Sequence, residues 1–85
     1  MKQDNTGYNP AHGFSVLQHL AKYPVLDGRT LGILREGCCV VSHKLHALVV
    51  PEGFDLDKEL GGAVTALHQA VAECNARLLQ LNAGV

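Results

Sequence analysis

The sequence has little charge of either sign and no excess of basic residues. Charged residues make up 18% of the 85 residues, with seven lysines and arginines against eight aspartates and glutamates, for a formal net charge of −1. Proteins that bind nucleic acid use clustered basic side chains, which release counterions from the phosphate backbone. The chain has no basic stripe of this kind, and we therefore expect it not to bind DNA or RNA.

Long apolar runs and a cysteine framework are also missing. No stretch approaches the ~20 apolar residues that span a bilayer, and the first five residues lack the apolar core of a signal peptide. The three cysteines are an odd number, and two of them are adjacent. They do not form the even set that a disulfide framework needs, and free thiols suit a reducing compartment. The sequence therefore predicts a cytoplasmic protein with no membrane attachment.

A chain of this length is expected to form one domain with a modest core. The sequence contains no linker, internal repeat or low-complexity segment. Residues 1–8 are polar and predict a flexible tail. Residues 9–85 then form a single domain.

The most regular pattern lies near the C-terminus, where apolar residues alternate spacings of four and three. These residues are Leu60, Val64, Leu67, Val71, Cys74, Leu78 and Leu81. A heptad pattern held over three repeats predicts one long helix that packs along its length. Asp55 or Asp57 can cap its start, Asn82 lies at its end, and Glu73 and Arg77 form a favourable i, i+4 ion pair.

The length of this helix favours self-association. About 26 residues at ~1.5 Å each give roughly 39 Å of helix, whereas strands of ordinary length give a sheet of only ~17–20 Å. The part that extends past such a sheet needs another cover. We expect a homodimer through the seven heptad residues, and packing of the same residues on the chain's own sheet is the alternative.

The N-terminal half predicts a short helix followed by strands. The helix begins at Asn9-Pro10 or at Ser15, and it ends before Pro24. Asp27-Gly28 has the composition of a tight hairpin turn. Strands are expected at residues 30–34, 38–42 and 45–50, with an edge strand at residues 23–26. The predicted fold is α+β, with a short N-terminal helix, a three- or four-stranded antiparallel meander and a long C-terminal helix.

One cluster of residues has the side chains that chemistry needs. Cys38, Cys39, His43 and His46 fall within nine residues, and thiolates and imidazoles are zinc ligands. In a strand, however, adjacent cysteines point to opposite faces, and Cys39 and His43 lie roughly 13 Å apart at ~3.3 Å per residue. That distance is too long for a nucleophile and its base. We therefore expect no metal, no cofactor and no catalytic residues.

The absence of a catalytic cluster favours a small non-enzymatic homodimer that binds another protein as an inhibitor, adaptor or regulatory accessory protein. Its expected partner-binding residues are exposed and charged or aromatic, namely Arg29, Arg35, Lys44 and Phe54. The main alternative is a small-ligand or metal-binding protein that uses Cys39, His43 and His46 or the cleft of the dimer. A thiol-dependent enzyme that uses one of the two adjacent cysteines is the third hypothesis.

Overall fold

The computed structural model describes residues 9–83, and the predicted tail at residues 1–8 lies outside this range. Four helices follow one another: α1 (His12–Lys22), α2 (Gly28–His46), α3 (Leu56–Glu59) and α4 (Ala63–Ala83). Between residues 9 and 83 there is no β-strand. The predicted α+β fold is therefore wrong, because the segment assigned to the antiparallel meander is mostly a single helix.

Helix α2 begins at a cap that has the composition of a hairpin turn. The Oδ1 atom of Asp27 accepts a hydrogen bond from the Thr30 amide at 2.9 Å. This bond satisfies an amide that has no partner within the helix, which is what an N-cap does. The Asp27-Gly28 pair therefore starts a helix and does not reverse the chain.

The apolar residues of α2 have helical spacing over their whole length. Its inward side chains recur at intervals of three and four, and they are Leu31, Leu34, Cys38, Val41 and Leu45. Three glycines and a β-branched pair within the same segment favour strands and turns by propensity. Burial of the heptad stripe overrides that propensity, so the strands predicted at residues 30–34 and 38–42 lie inside α2.

The long C-terminal helix is present but broken near its start. Asp55 caps the four-residue α3 by accepting from the Lys58 amide at 3.2 Å. Gly61 and Gly62 then take φ angles of +68° and +86°, which favour glycine because it has no Cβ. Helix α4 therefore has 21 residues, or about 31 Å at 1.5 Å per residue. No helix in residues 9–83 is long and apolar enough to cross a membrane.

Helix α4 packs against both α1 and α2, and the core lies between the three. The fully or almost fully buried side chains are Val16, Leu20, Leu31, Cys38, Val41, Leu45, Ala63, Ala66, Leu67, Ala70 and Cys74. Helix α1 approaches α4 closely at Gly13, where an added Cβ would lie 2.6 Å from the Leu67 backbone nitrogen. The glycine of α1 and the small residues of α4 thus allow a tight crossing of the two helices.

Arg77 joins α4 to the end of α1. Its guanidinium donates to the carbonyl oxygens of Leu20 at 2.9 Å and Tyr23 at 3.0 Å. Its Nε also donates to Glu73 at 2.9 Å, so the predicted i, i+4 pair is confirmed. The last carbonyls of a helix lack partners within it, and a basic side chain can supply the missing bonds.

Candidate functional site

A groove of about 570 Å³ runs along the contact between α2 and α4. Its lining residues are Cys39, Ser42, His43, His46, His68, Val71, Ala72 and Asn75. Each helix contributes four residues at the spacing i, i+3, i+4 and i+7, which is one face of an α-helix. The groove therefore brings the Cys39 thiol and three imidazole groups, two from α2 and one from α4, to one surface.

Antiparallel packing sets the two ends of this surface. At one end, an Arg35 nitrogen donates to the Asn75 side-chain oxygen at 3.2 Å. At the other, the rings of His46 and His68 are nearly parallel, with an interplanar angle of 10° and centroids 5.9 Å apart. Residue numbers rise along α2 and fall along α4 between the two contacts. Histidines 22 residues apart in sequence are thereby brought together.

The orientation of the His46 ring is fixed by its own helix. Its Nδ1 lies 2.7 Å from the carbonyl oxygen of Ser42 and 3.3 Å from the hydroxyl of the same residue. A carbonyl oxygen can only accept, so Nδ1 carries the proton in this contact. When the imidazole is neutral, Nε2 then bears the free lone pair.

An acidic side chain lies beside the histidine end of the groove. The Asp57 carboxylate accepts from the amide and from the hydroxyl of Thr65, both at 2.8 Å. The backbone and side-chain bonds from Thr65 lower the pKa of Asp57, and the nearby His68 adds a smaller lowering. Asp57 thus caps α4 and places negative charge close to the His68 ring, and the predicted capping role is confirmed.

The two adjacent cysteines lie in different environments. Cys38 is fully buried, and desolvation, followed by the neighbouring Cys74, raises its pKa from 9.0 to about 11. Burial also raises the pKa of the Cys74 thiol. Cys39 is exposed and lines the groove. A buried thiol with a raised pKa is a poor nucleophile, so Cys38 does not suit the thiol-enzyme hypothesis.

The helical conformation of α2 changes the geometry expected for Cys39, His43 and His46. Residues four apart on a helix have Cβ atoms only about 5–6 Å apart, so the roughly 13 Å distance expected from a strand is wrong. All three side chains line one groove. In residues 9–83, however, no three cysteine, histidine or acidic side chains are grouped as they stand to hold a metal ion.

His68 also lines the groove, although no sequence pattern groups it with Cys39, His43 and His46. In the sequence it follows a heptad position and reads as a solvated histidine. The spacing i, i+4 and i+7 of Cys39, His43 and His46 indicates a shared helix face once α2 is known to be helical. The addition of His68 depends on how α2 and α4 align, which no local pattern determines.

The predicted dimer residues mostly pack within the chain. Leu67 and Cys74 have no exposed surface, and four others, Leu60, Val64, Val71 and Leu78, pack against the core. Only Leu81 is exposed, at 44%. In the predicted fold, a short sheet would leave part of α4 exposed. In the structure, α2 covers that part of α4. The homodimer stays a prediction, and its interface requires surfaces other than Leu67 and Cys74.

The predicted partner-binding residues do not form one patch. Arg29, Arg35 and Lys44 lie on α2, and Phe54 lies in the connection between α2 and α3. Arg35 and Lys44 are nine residues apart, which is about half a turn around the helix axis. All four are exposed. Their role in binding a partner stays a prediction.

Comparison with known proteins finds no relative. No family model matches the sequence, and no curated protein or solved structure matches the chain. The side chains of the groove are therefore the basis for a functional interpretation.

Proposed function

We propose that the protein is a non-catalytic binding module that holds a small ligand in the groove between α2 and α4. The observation that supports this proposal is the convergence of Cys39, His43, His46 and His68 in one open groove. Small-molecule sites are typically concavities of about 300–1,000 Å³ with an apolar lining and a few polar groups that orient the ligand. The groove has this size and this composition.

The polar groups of the groove suit binding better than catalysis. The Ser42 carbonyl holds the His46 ring, and the Thr65 bonds engage the neighbouring Asp57 carboxylate. Groups held in this way orient a ligand at little entropic cost. A cytoplasmic location, which the free cysteines favour, keeps Cys39 as a thiol.

Native mass spectrometry of protein purified without chelator tests this function. The expected spectrum shows the chain with a bound mass at 1:1 stoichiometry. Ala72 lines the groove, so the ring introduced by Ala72→Phe should fill part of the groove and displace that mass. Ala76→Phe is the matched control, because Ala76 is also exposed on α4 but does not line the groove. A spectrum of the bare polypeptide for the unmodified chain would contradict the proposal.

A second candidate function is the homodimeric protein-binding module expected from the sequence. A smaller groove of about 220 Å³ at another part of the bundle favours it; its lining includes Pro24, Val25, Leu26 and Leu81. Val25 is 88% exposed and Leu81 44% exposed. Contiguous exposed apolar surface marks protein interaction sites, and this surface suits either a second copy or another protein.

Sedimentation equilibrium tests the second candidate. A dimer that uses the smaller groove should dissociate in Val25→Asp, because the carboxylate would be desolvated in the interface. Val49→Asp is the control, since Val49 is 99% exposed and lies outside this groove. A monomeric mass for the unmodified chain at every concentration would contradict the homodimer.

A further inference from the structure

We infer that the groove between α2 and α4, together with an adjoining cavity, binds an α-amino acid with an aromatic side chain. This inference rests on the proposed ligand-binding function and specifies the class of ligand. An amino acid of this kind has a carboxylate, an ammonium group and a ring. The surface between the two helices has a partner for each of the three.

The adjoining cavity has a volume of about 460 Å³ and extends the groove at its Arg35–Asn75 end. It shares Cys39, Val71 and Asn75 with the groove, and it adds Arg35 and Glu36. None of the eight described residues that line the groove itself is a lysine, arginine, aspartate or glutamate. Arg35 and Glu36 therefore place one charge of each sign at one end of the site.

The side chains of Arg35 and Asn75 suit the carboxylate of the ligand. The Arg35 guanidinium uses one of its N–H groups to donate to the Asn75 side-chain oxygen at 3.2 Å. The other N–H groups of the guanidinium, and those of the Asn75 amide, are donors. A planar guanidinium matches the two oxygens of a carboxylate. The bond between the two side chains orients both donors toward one site.

Glu36 suits the ammonium group. It is exposed, and within residues 9–83 it has no hydrogen-bond or ion-pair partner. Charge-assisted hydrogen bonds between an ammonium group and a carboxylate are stronger than neutral ones. Glu36 would repel a simple anion and Arg35 would repel a simple cation, whereas a zwitterion pairs with both residues.

The rings of His46 and His68 suit the aromatic side chain. They are stacked with centroids 5.9 Å apart and an interplanar angle of 10°, within the ~4.5–7 Å range of stacked aromatic pairs. The Ser42 carbonyl oxygen holds Nδ1 of His46 at 2.7 Å. Both histidines are exposed and line the groove, so a third ring can extend the stack.

The spacing of these groups fits one small molecule. Cys39 and His46 are seven residues apart on α2, as are His68 and Asn75 on α4. At about 1.5 Å per residue, the groove is roughly 10 Å long. An amino acid of the size of tryptophan can therefore place its charged groups at one end and its ring at the other.

Titration calorimetry with L-tryptophan tests the inference. The chain should bind one molecule with a Kd below about 100 μM. Three related compounds each lack one group: tryptamine lacks the carboxylate, indole-3-propionate lacks the ammonium group, and L-alanine lacks the ring. Each should bind at least about fivefold more weakly, because each loses one of the three contacts.

Two variants assign the charged contacts. Arg35→Gln should weaken the binding of L-tryptophan by about fivefold and should not weaken that of tryptamine, which has no carboxylate to lose. Glu36→Gln should weaken L-tryptophan by a similar factor and should not weaken indole-3-propionate, which has no ammonium group. Arg29→Gln is the matched control, since Arg29 is exposed on α2 and lines neither cavity. Circular dichroism of each variant verifies that its helices are intact.

A third variant assigns the ring contact. His68→Ala should weaken the binding of L-tryptophan and leave that of L-alanine unchanged, because only tryptophan stacks on the imidazole. His19→Ala is the control, since His19 is an exposed histidine of α1 outside the groove. It should bind both amino acids as the unmodified chain does.

Three results would overturn the inference. Equal affinity for all four compounds would show that neither the charges nor the ring is recognised. A different bound organic mass in the native spectrum, without affinity for L-tryptophan, would overturn the inference and leave the proposed function standing. A bare polypeptide that binds none of the four compounds would overturn both.

Discussion

One step along α2 separates two thiols that lie in opposite environments. Cys38 is fully buried against α4, and its pKa is raised to about 11. Cys39, rotated by about 100° around the helix axis, is exposed in the groove with three histidines. The contact between α2 and α4 therefore has a dry side, which is the buried core that includes Cys38 and Leu67, and a wet side, which is the exposed groove that includes Cys39. Substitutions on the two sides should have effects of very different size.

The largest effect is expected for Leu67→Glu on the dry side. Leu67 has no exposed surface, and a buried unpaired charge costs several kcal/mol. This cost is comparable to the whole stability of a chain of this size, roughly 4–13 kcal/mol. We expect the cooperative thermal transition followed by circular dichroism to be lost. Leu79→Glu, at a 68% exposed position of the same helix, should unfold like the unmodified protein. Equal transitions for the two variants would contradict the burial of Leu67.

A smaller loss is expected for Gly13→Ala at the crossing of α1 and α4. The added Cβ would lie 2.6 Å from the Leu67 backbone nitrogen, and overpacking of this kind costs about 1–3 kcal/mol. Gly32→Ala is the control, because nothing lies within 4 Å of its added Cβ. It should stabilise α2 by about 0.5–1 kcal/mol. Urea unfolding measures both changes, and a loss at Gly32 that matched the loss at Gly13 would contradict the close approach.

Alkaline pH should lower the free energy of unfolding because the Cys38 thiol is buried on the dry side. The unfolded Cys38 thiol loses its proton near 9.0, whereas the folded thiol keeps it to about 11. The contribution of the protonated Cys38 thiol to the free energy of unfolding is complete below about pH 9. It falls as the pH rises toward about 11, because in this range the unfolded state binds fewer protons than the folded state. The urea midpoint should fall less steeply with pH in Cys38→Ala than in the unmodified protein. Identical slopes would mean that Cys38 titrates normally in the folded state.

The smallest effect is expected for Cys39→Ser on the wet side. Substitutions at exposed positions usually change the free energy of unfolding by no more than about 0.5 kcal/mol. In the native unmodified protein, a thiol reagent should label one cysteine rapidly and the other two only after unfolding. Cys39→Ser should abolish the rapid label. Rapid labelling of two or three thiols would contradict the different burial of Cys38 and Cys39.

The contrast between α4 and α2 shows how much of the fold the sequence predicts. The heptad pattern of α4 and its Glu73–Arg77 pair are local features, and they were predictable from spacing alone. Spacing left Asp55 and Asp57 as alternative caps of one helix, whereas in the structure Asp55 caps α3 and Asp57 caps α4. Helix α2 has an equally regular stripe of inward residues, but Asp27-Gly28 also suits a hairpin. In this case the local signals conflict, and packing against α4 decides between them.

The candidate site was predictable only in part. Cys39, His43 and His46 are close in sequence, and their grouping is visible once α2 is read as a helix. His68 joins them because α2 and α4 align antiparallel, and this alignment is set by core residues far from the groove. A heptad pattern such as that of α4 indicates that the helix packs against a partner, but it does not identify the partner. Here the partner is mainly another helix of the same chain.

Residues 28–46 form one helix, α2, which places His46 opposite His68. Backbone NMR assignment combined with a nuclear Overhauser spectrum is the decisive test of this arrangement. We expect helical Cα shifts throughout residues 28–46 and cross-peaks between the ring protons of His46 and His68. Strand-like shifts at residues 38–42, without cross-peaks between those two rings, would contradict both the fold and the groove.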